Sequence, residues 1–206
     1  PSFSAQEGAR TQSGVVPTTR RHDRPPRFHI GMSDRLLDRK TLFRAFTLLA
    51  ARLERRRVVG EIHIFGGAAM VLAFASRAAT RDVDAVFAPD GVVHEAALDV
   101  AKAMRLPRSW LNNQASSYVS GRAGRGTPVF DHPHLRVMVT PPEHLLAMKV
   151  RAARALRDGP DIATLLDHLE LRTLAEVRQV VSRYFPDEPL SQRSVDLVRD
   201  LLARGD

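Results

Sequence analysis

Apolar residues first recur at helical spacing where Leu36, Leu37, Phe43, Phe46, Leu49 and Leu53 predict a helix running to about Arg57, capped by Ser33 or Asp34. Glu61–Phe65 then predicts a short strand, and Ala68–Phe74, apolar on all sides, suits a buried helix better than a strand. Arg81–Phe87 predicts a second strand and Pro89-Asp90-Gly91 a turn. Val92–Met104 places Val93, Ala96, Ala97, Val100 and Ala101 on one helical face, and Pro107 ends that unit. Residues 108–132 show no period, and Leu135–Thr140 predicts a third strand. Pro141-Pro142 opens a helix that continues to about Leu156, since proline is tolerated in a first turn. Asp161–Leu169, Leu174–Tyr184 and Val195–Ala203 predict further helices, with Thr173 and Ser191 or Ser194 as caps. The expected fold class is therefore α/β (α+β), a small mixed sheet with a helical C-terminal region. Its expected parts are a disordered extension over 1–31, an α/β core over 32–140 and a helical region over 141–206 packed on that core.

Composition narrows the class. The chain has 206 residues, 44% of them hydrophobic, enough for one domain with a real core. No apolar run reaches the roughly 20 residues of a membrane helix, so no membrane partner is expected. The absence of Cys excludes disulfides, thiolate zinc sites and cysteine nucleophiles, and a cytoplasmic location is expected. The formal net charge is +8, carried mostly by Arg, which suits an anionic partner such as RNA, DNA or a nucleotide, or else reflects an Arg-rich composition. Residues 1–31 carry Arg10, Arg20, Arg21, Arg24 and Arg27 without apolar periodicity, and Met32 is a candidate start.

The chemistry concentrates around Gly66-Gly67 and Arg81-Asp82-Val83-Asp84. Strand alternation puts Asp82 and Asp84 on one face and Val83, Ala85 and Phe87 on the other. Paired carboxylates on one face either hold a divalent cation or pair with nearby arginines on a solvated edge. Gly66-Gly67 lies between a strand and a helical pattern, where free N–H groups favour anions; a tight strand-to-helix turn would need the same residues. Lys149 falls on the apolar stripe defined by Leu145, Leu146, Ala152, Ala153 and Leu156. Its charge needs a partner such as a phosphate, or its stem must snorkel to water.

These residues resemble a known family. The run from Gly66 to Pro89 is similar to the signature of polymerase-beta-type nucleotidyltransferases, and more narrowly to AbiEii-like and related bacterial toxin-type proteins. Leu106-Pro107-Arg108-Ser109-Trp110-Leu111-Asn112-Asn113, Pro142-Glu143-His144-Leu145-Leu146-Ala147-Met148-Lys149 and the expected turn Arg157-Asp158-Gly159-Pro160-Asp161-Ile162 extend the resemblance, in order, over about residues 58–206. The resemblance implies a minimal nucleotidyltransferase fold in which Asp82 and Asp84 hold Mg2+ (or Mn2+) and Gly66 and Gly67 contact the triphosphate. Lys149 would contact nucleotide phosphate, and Asp161 would be a further acidic site residue or would orient the lysine. Arg77 and Arg81 are secondary phosphate candidates. The strand Leu135–Val139 lacks the third carboxylate usual in the superfamily, and position 67 is Gly where many active members have Ser.

The expected activity is transfer of an NMP from NTP to a hydroxyl acceptor, with RNA, including a tRNA 3′ end, as acceptor and an antitoxin protein as a further partner. The alternative is a catalytically inactive nucleotide- or RNA-binding module that retains the fold. A second rival is an enzyme modifying a small molecule or a protein; the basic surface argues against cationic small substrates. Other features carry blander expectations: His132-Pro133-His134 a loop, Trp110 a packing residue, Asn112 and Asn113 a turn or ribose contact, and Gly121–Gly126 with Arg122 and Arg125 a surface or RNA-touching loop. Phosphorylation of Thr80, two residues before Asp82, would oppose triphosphate binding.

Overall fold

Alternating buried and exposed positions in three strands build the sheet that carries the site. A computed structural model describes residues 36–114 and 126–204, which fall in one compact unit. The expected extension over 1–31, Met32, the caps Ser33 and Asp34, and Gly121, Arg122, Gly124 and Arg125 lie outside the described residues. The fold is mixed α/β. Central strand β2 (Gly60–Phe65) pairs antiparallel with β4 (Val83–Ala88) and parallel with β7 (Leu135–Val139). Short β5 (Leu111–Asn112) flanks β4 in parallel, and β6 (Thr127–His132) flanks β7 antiparallel, completing a five-stranded sheet in the order β5-β4-β2-β7-β6.

Ile62 faces Phe87 and Val137 across the ladders, and Ile64 faces Ala85 and Val139; all six are buried. The helices α1 (Arg39–Arg55) and α3 (Asp90–Met104) cover this apolar face, with Phe46 and Trp110 filling the space between. Gly60 admits that packing, since a Cβ there would stand 2.8 Å from the Leu53 side chain.

Several element boundaries differ from the sequence reading. Helix α1 starts at Arg39, and its cap is Asp38, whose carboxylate accepts the Thr41 N–H at 2.7 Å. Leu37 belongs instead to β1 (Leu37–Asp38), paired antiparallel with β3 (Ala79–Thr80) in a two-stranded ladder too short to leave a pattern. Pro89-Asp90-Gly91 leads directly into α3 because Asp90 suits the positive end of a helix. The aperiodic stretch hides β6, an edge strand bulged between Pro128 and Phe130; an edge that is wet on several positions loses its alternation.

The C-terminal half holds α4 (Pro142–Ala152), α5 (Ala155–His168), α6 (Leu174–Tyr184) and α7 (Gln192–Leu202). Helix α4 stops at Ala153, which adopts a left-handed conformation (φ 44°), rather than continuing to Leu156. Leu156, placed by periodicity on the buried stripe, is fully exposed because the break rotates α5 relative to α4. Arg157–Ile162 is helical rather than a turn, despite Pro160, because Asp158 and Asp161 are tied to α4 and to Arg77. The α6 cap is the expected Thr173, in a reciprocal capping box with Glu176, and Ser191 caps α7. No helix among the described residues is long and apolar enough to cross a membrane.

Candidate functional site

The acidic half of the site follows from the pleat of β4. Val83, Ala85 and Phe87 point into the core, so Asp84 is directed to the opposite face, and Asp82, one step before the strand, joins it there. Both are half-buried and line a cleft of ≈ 490 Å³ together with Phe65 and Gly66. The approach to Asp82 is fixed from outside the main sheet. Thr80 is held by Leu37 in the β1–β3 ladder, and its hydroxyl donates to the Asp82 carbonyl at 3.1 Å. Neither aspartate makes an ion pair with any described residue. Burial pushes the Asp84 carboxyl above its ordinary pKa, and the neighbouring Asp82 charge adds to the rise; a hydrogen bond from Asn112 and the charges of Arg157 and Arg154 pull the other way.

The glycine pair serves two different contacts. Gly66 closes β2 with φ 68°, a conformation that disfavours any side chain, and a Cβ there would lie 3.0 Å from Asp84 Oδ2. Its small size therefore lets the backbone meet the carboxylate. Gly67 faces away from that contact: a Cβ would stand 2.7 Å from Thr80 Oγ1. The short helix α2 (Gly66–Ala69) continues into a π-helical turn, Met70–Phe74, whose Leu72 carbonyl is capped by the Arg39 guanidinium.

The basic half comes from α4 and α5. Lys149 lines the cleft but is buried, with Nζ 2.6 Å from Asp161 Oδ2 and 3.5 Å from Asp158 Oδ1. Asp161 is fully buried and also accepts from Arg77 Nε at 2.6 Å, while the Arg77 Nη2 donates to the Arg157 carbonyl at 2.6 Å. Asp161 thus orients Lys149 and anchors Arg77, and the pair of cations accounts for both of its oxygens. Arg81 is exposed and its side chain makes no hydrogen bond or ion pair with a described residue. The structure so brings together Asp82, Asp84, Gly66 and Lys149, sets Asp161 and Arg77 behind Lys149, and turns Gly67 toward Thr80.

Sequence reasoning missed Arg154, Arg157, Asp158 and Gln114, which line the same cleft. The charge-rich interval between Lys149 and Asp161 was the available signal, but a helix continued to about Leu156 and a turn over Arg157–Ile162 set Arg154 and Arg157 on different elements. The break at Ala153 instead gathers them at the start of α5.

The blander expectations divide. Trp110 packs in the core and donates its indole N–H to the Ala97 carbonyl at 2.9 Å. Asn112 shapes its own turn by accepting the Gln114 N–H at 3.1 Å and also supports Asp84. Asn113 contacts Asp90. His132 and His134 lie at the other end of the sheet, where His134 meets the Val58 carbonyl. Thr80 is buried with its hydroxyl in use, so a kinase has no access to it in this conformation. Among the described residues no group of three or more His, Asp or Glu side chains converges as a metal site, and β7 carries no carboxylate.

Asp82 and Asp84 still fit a single divalent cation. They face one cleft and lack an ion-pair partner among the described residues, and a bound cation would offset the rise that burial and Asp82 impose on the Asp84 carboxyl. The chain matches no family model, no curated protein and no solved structure.

Proposed function

We propose that this protein is a nucleotidyltransferase that moves a nucleoside monophosphate from a nucleoside triphosphate to a hydroxyl acceptor. The supporting observation is the pairing of Asp82 and Asp84 in one cleft, free of ion pairs with described residues, opposite the positive side chains of Arg154 and Arg157. Such a cleft suits a ligand with a cation-chelating, strongly anionic part. In the reaction the acceptor oxygen bonds to the α-phosphorus, the bond to the β-phosphate oxygen breaks, pyrophosphate leaves, and the hydroxyl proton passes to water. Asp82 and Asp84 would hold Mg2+ or Mn2+, which supplies neutralisation of the charge developing on the phosphoryl oxygens. The chain's own residues do the rest: Gly66 lets backbone approach Asp84, Asn112 steadies Asp84, and Lys149 with Asp161 fixes α5 against α4 at the edge of the cleft.

RNA is the proposed acceptor, on the net charge of +8. The toxin role and an antitoxin partner belong to the same proposal and rest on the family resemblance; a cytoplasmic location belongs to it too and rests on the absence of Cys. The test is label transfer from each radiolabelled NTP to total RNA with Mg2+ or Mn2+. Transfer by the wild type and loss of at least a hundredfold in Asp82→Asn and Asp84→Asn support the reading.

A second reading is favoured by one observation, the missing carboxylate on β7. On it the chain binds nucleotide or RNA without transferring a group. Retained RNA binding with no label transfer to any acceptor would establish that reading in place of the first.

A further inference from the structure

We propose that Arg154 and Arg157, at the start of α5, hold the terminal phosphates of the nucleotide, and that Lys149 and Arg77 are kept from that role by Asp161. This rests on the transferase reading and assigns the phosphate contacts within that site.

Four cations surround this end of the molecule, and their partners separate them. Lys149 Nζ is 2.6 Å from Asp161 and 3.5 Å from Asp158, with both acids buried. Arg77 spends Nε on Asp161 and Nη2 on the Arg157 carbonyl, both at 2.6 Å. Drawing either cation toward a ligand would strip a partner from a fully buried carboxylate, a loss that a phosphate contact in a wet cleft does not offset.

Arg154 and Arg157 are under no such constraint. Both are exposed and line the cleft that Asp82 and Asp84 line. Arg154 uses Nε on Asp158 at 3.0 Å, which leaves its two terminal nitrogens for a ligand. The Arg157 guanidinium has no hydrogen bond or ion pair with a described residue; its backbone carbonyl accepts from Arg77 and its N–H donates to the Arg154 carbonyl. Arg154 is the N-cap of α5 and Arg157 stands in its first turn, and both line the same cleft. A planar guanidinium matches two phosphate oxygens at once, which a lysine ammonium cannot do. The cleft is therefore bipolar, acidic at β4 and basic at α5, and its complement is a metal-chelated polyphosphate rather than a monophosphate.

The test uses the full chain and equilibrium binding of nonhydrolysable α,β-methylene NTPs with Mg2+, the matching nucleoside monophosphates, and inorganic triphosphate. Arg157→Gln is the cleanest variant because the carbonyl that Arg77 uses is unchanged. Arg154→Gln and the double variant extend it, with thermal melting as the folding control. Expected are a tenfold or greater loss of triphosphate affinity in each single variant, about a hundredfold in the double, no change for monophosphate, and partial recovery in Arg157→Lys. Undiminished triphosphate affinity in a folded Arg157→Gln protein overturns the inference while leaving the transferase reading intact. Binding of inorganic triphosphate but of no nucleotide, weakened by Arg157→Gln, sinks the transferase reading and keeps the anion seat. Failure of the wild type to bind any triphosphate overturns both.

Discussion

Asp84 is a residue whose surroundings oppose its own charge. Burial and the Asp82 carboxylate raise its pKa, so ionisation makes the fold less stable as pH rises through the ordinary carboxylate range toward the raised value, and the cost persists at neutral pH. Asp84→Asn removes that cost and is expected to raise the melting temperature in the absence of divalent cation. Mg2+ or Mn2+ is expected to raise the wild-type melting temperature and to leave that of Asp84→Asn unchanged. A wild type indifferent to millimolar Mn2+ in differential scanning calorimetry would remove the metal from the site. Lys149 is the reverse case. Its substitution by Met leaves Asp158 and Asp161 with less compensation, and the expected loss is about 3–5 kcal/mol of stability in urea unfolding. Gly67 makes a third point about reasons. A side chain there is excluded by Thr80, not by a ligand, and Gly67→Ser is expected to cost about 1–3 kcal/mol and to disturb the Thr80 contact that fixes the Asp82 carbonyl.

The α4–α6 contact shows what an element interface adds. His144 is fully buried on α4, its ring stacked on Tyr184 of α6 at 4.6 Å, and burial lowers its pKa. A histidine whose folded pKa lies below its unfolded one contributes stability that is intact above the unfolded pKa, about 6.5, and is lost as pH falls below it. Urea unfolding between pH 7 and pH 5 should therefore show a declining stability in the wild type, with a visibly smaller slope in His144→Phe. Equal slopes would assign the acid sensitivity to other groups. The cap of α6 is simpler: Thr173→Ala is expected to lower stability by about 1 kcal/mol. Thr173 was readable in the sequence because a capping box is local chemistry, as were the aspartate face of β4 and the core face of α3. The β1–β3 ladder and β6 were not, because two residues make no period and an edge strand hides its own. The break at Ala153 was missed for another reason. Alanine is the best helix former, so nothing local signals the left-handed conformation of Ala153, across which Lys149 of α4 pairs with Asp158 and Asp161 of α5. The arginines of the cleft went unread with it.

At the scale of the whole molecule, the charge excess lies away from the cleft. Asp82, Asp84, Asp158 and Asp161 are matched there by Arg77, Lys149, Arg154 and Arg157, so the formal +8 is carried by the remaining surface and by residues outside the described structure. One concentration is the groove of ≈ 590 Å³ between α1 and α3, where Arg52, Arg55, Arg56 and Lys102 surround Asp99. Only Arg56 pairs with that acid, at 3.0 Å. The two proposed substrates should therefore answer salt differently. A nucleotide held by a balanced cleft replaces few counterions, whereas RNA lying on exposed arginines releases about one per phosphate neutralised. About four such contacts give a slope near −2.8 of log affinity on log salt, or roughly fiftyfold between 50 and 200 mM. Filter binding of labelled RNA is expected to show that dependence, and nonhydrolysable NTP binding is expected to change by less than about fivefold over the same range. Neutralising Arg52, Arg55 and Lys102 together should reduce the RNA slope and leave nucleotide affinity alone, because none of the three lines the cleft. An RNA affinity that ignores salt would mean that the excess charge plays no part in acceptor binding, and the choice of RNA over a protein hydroxyl would lose its physical basis.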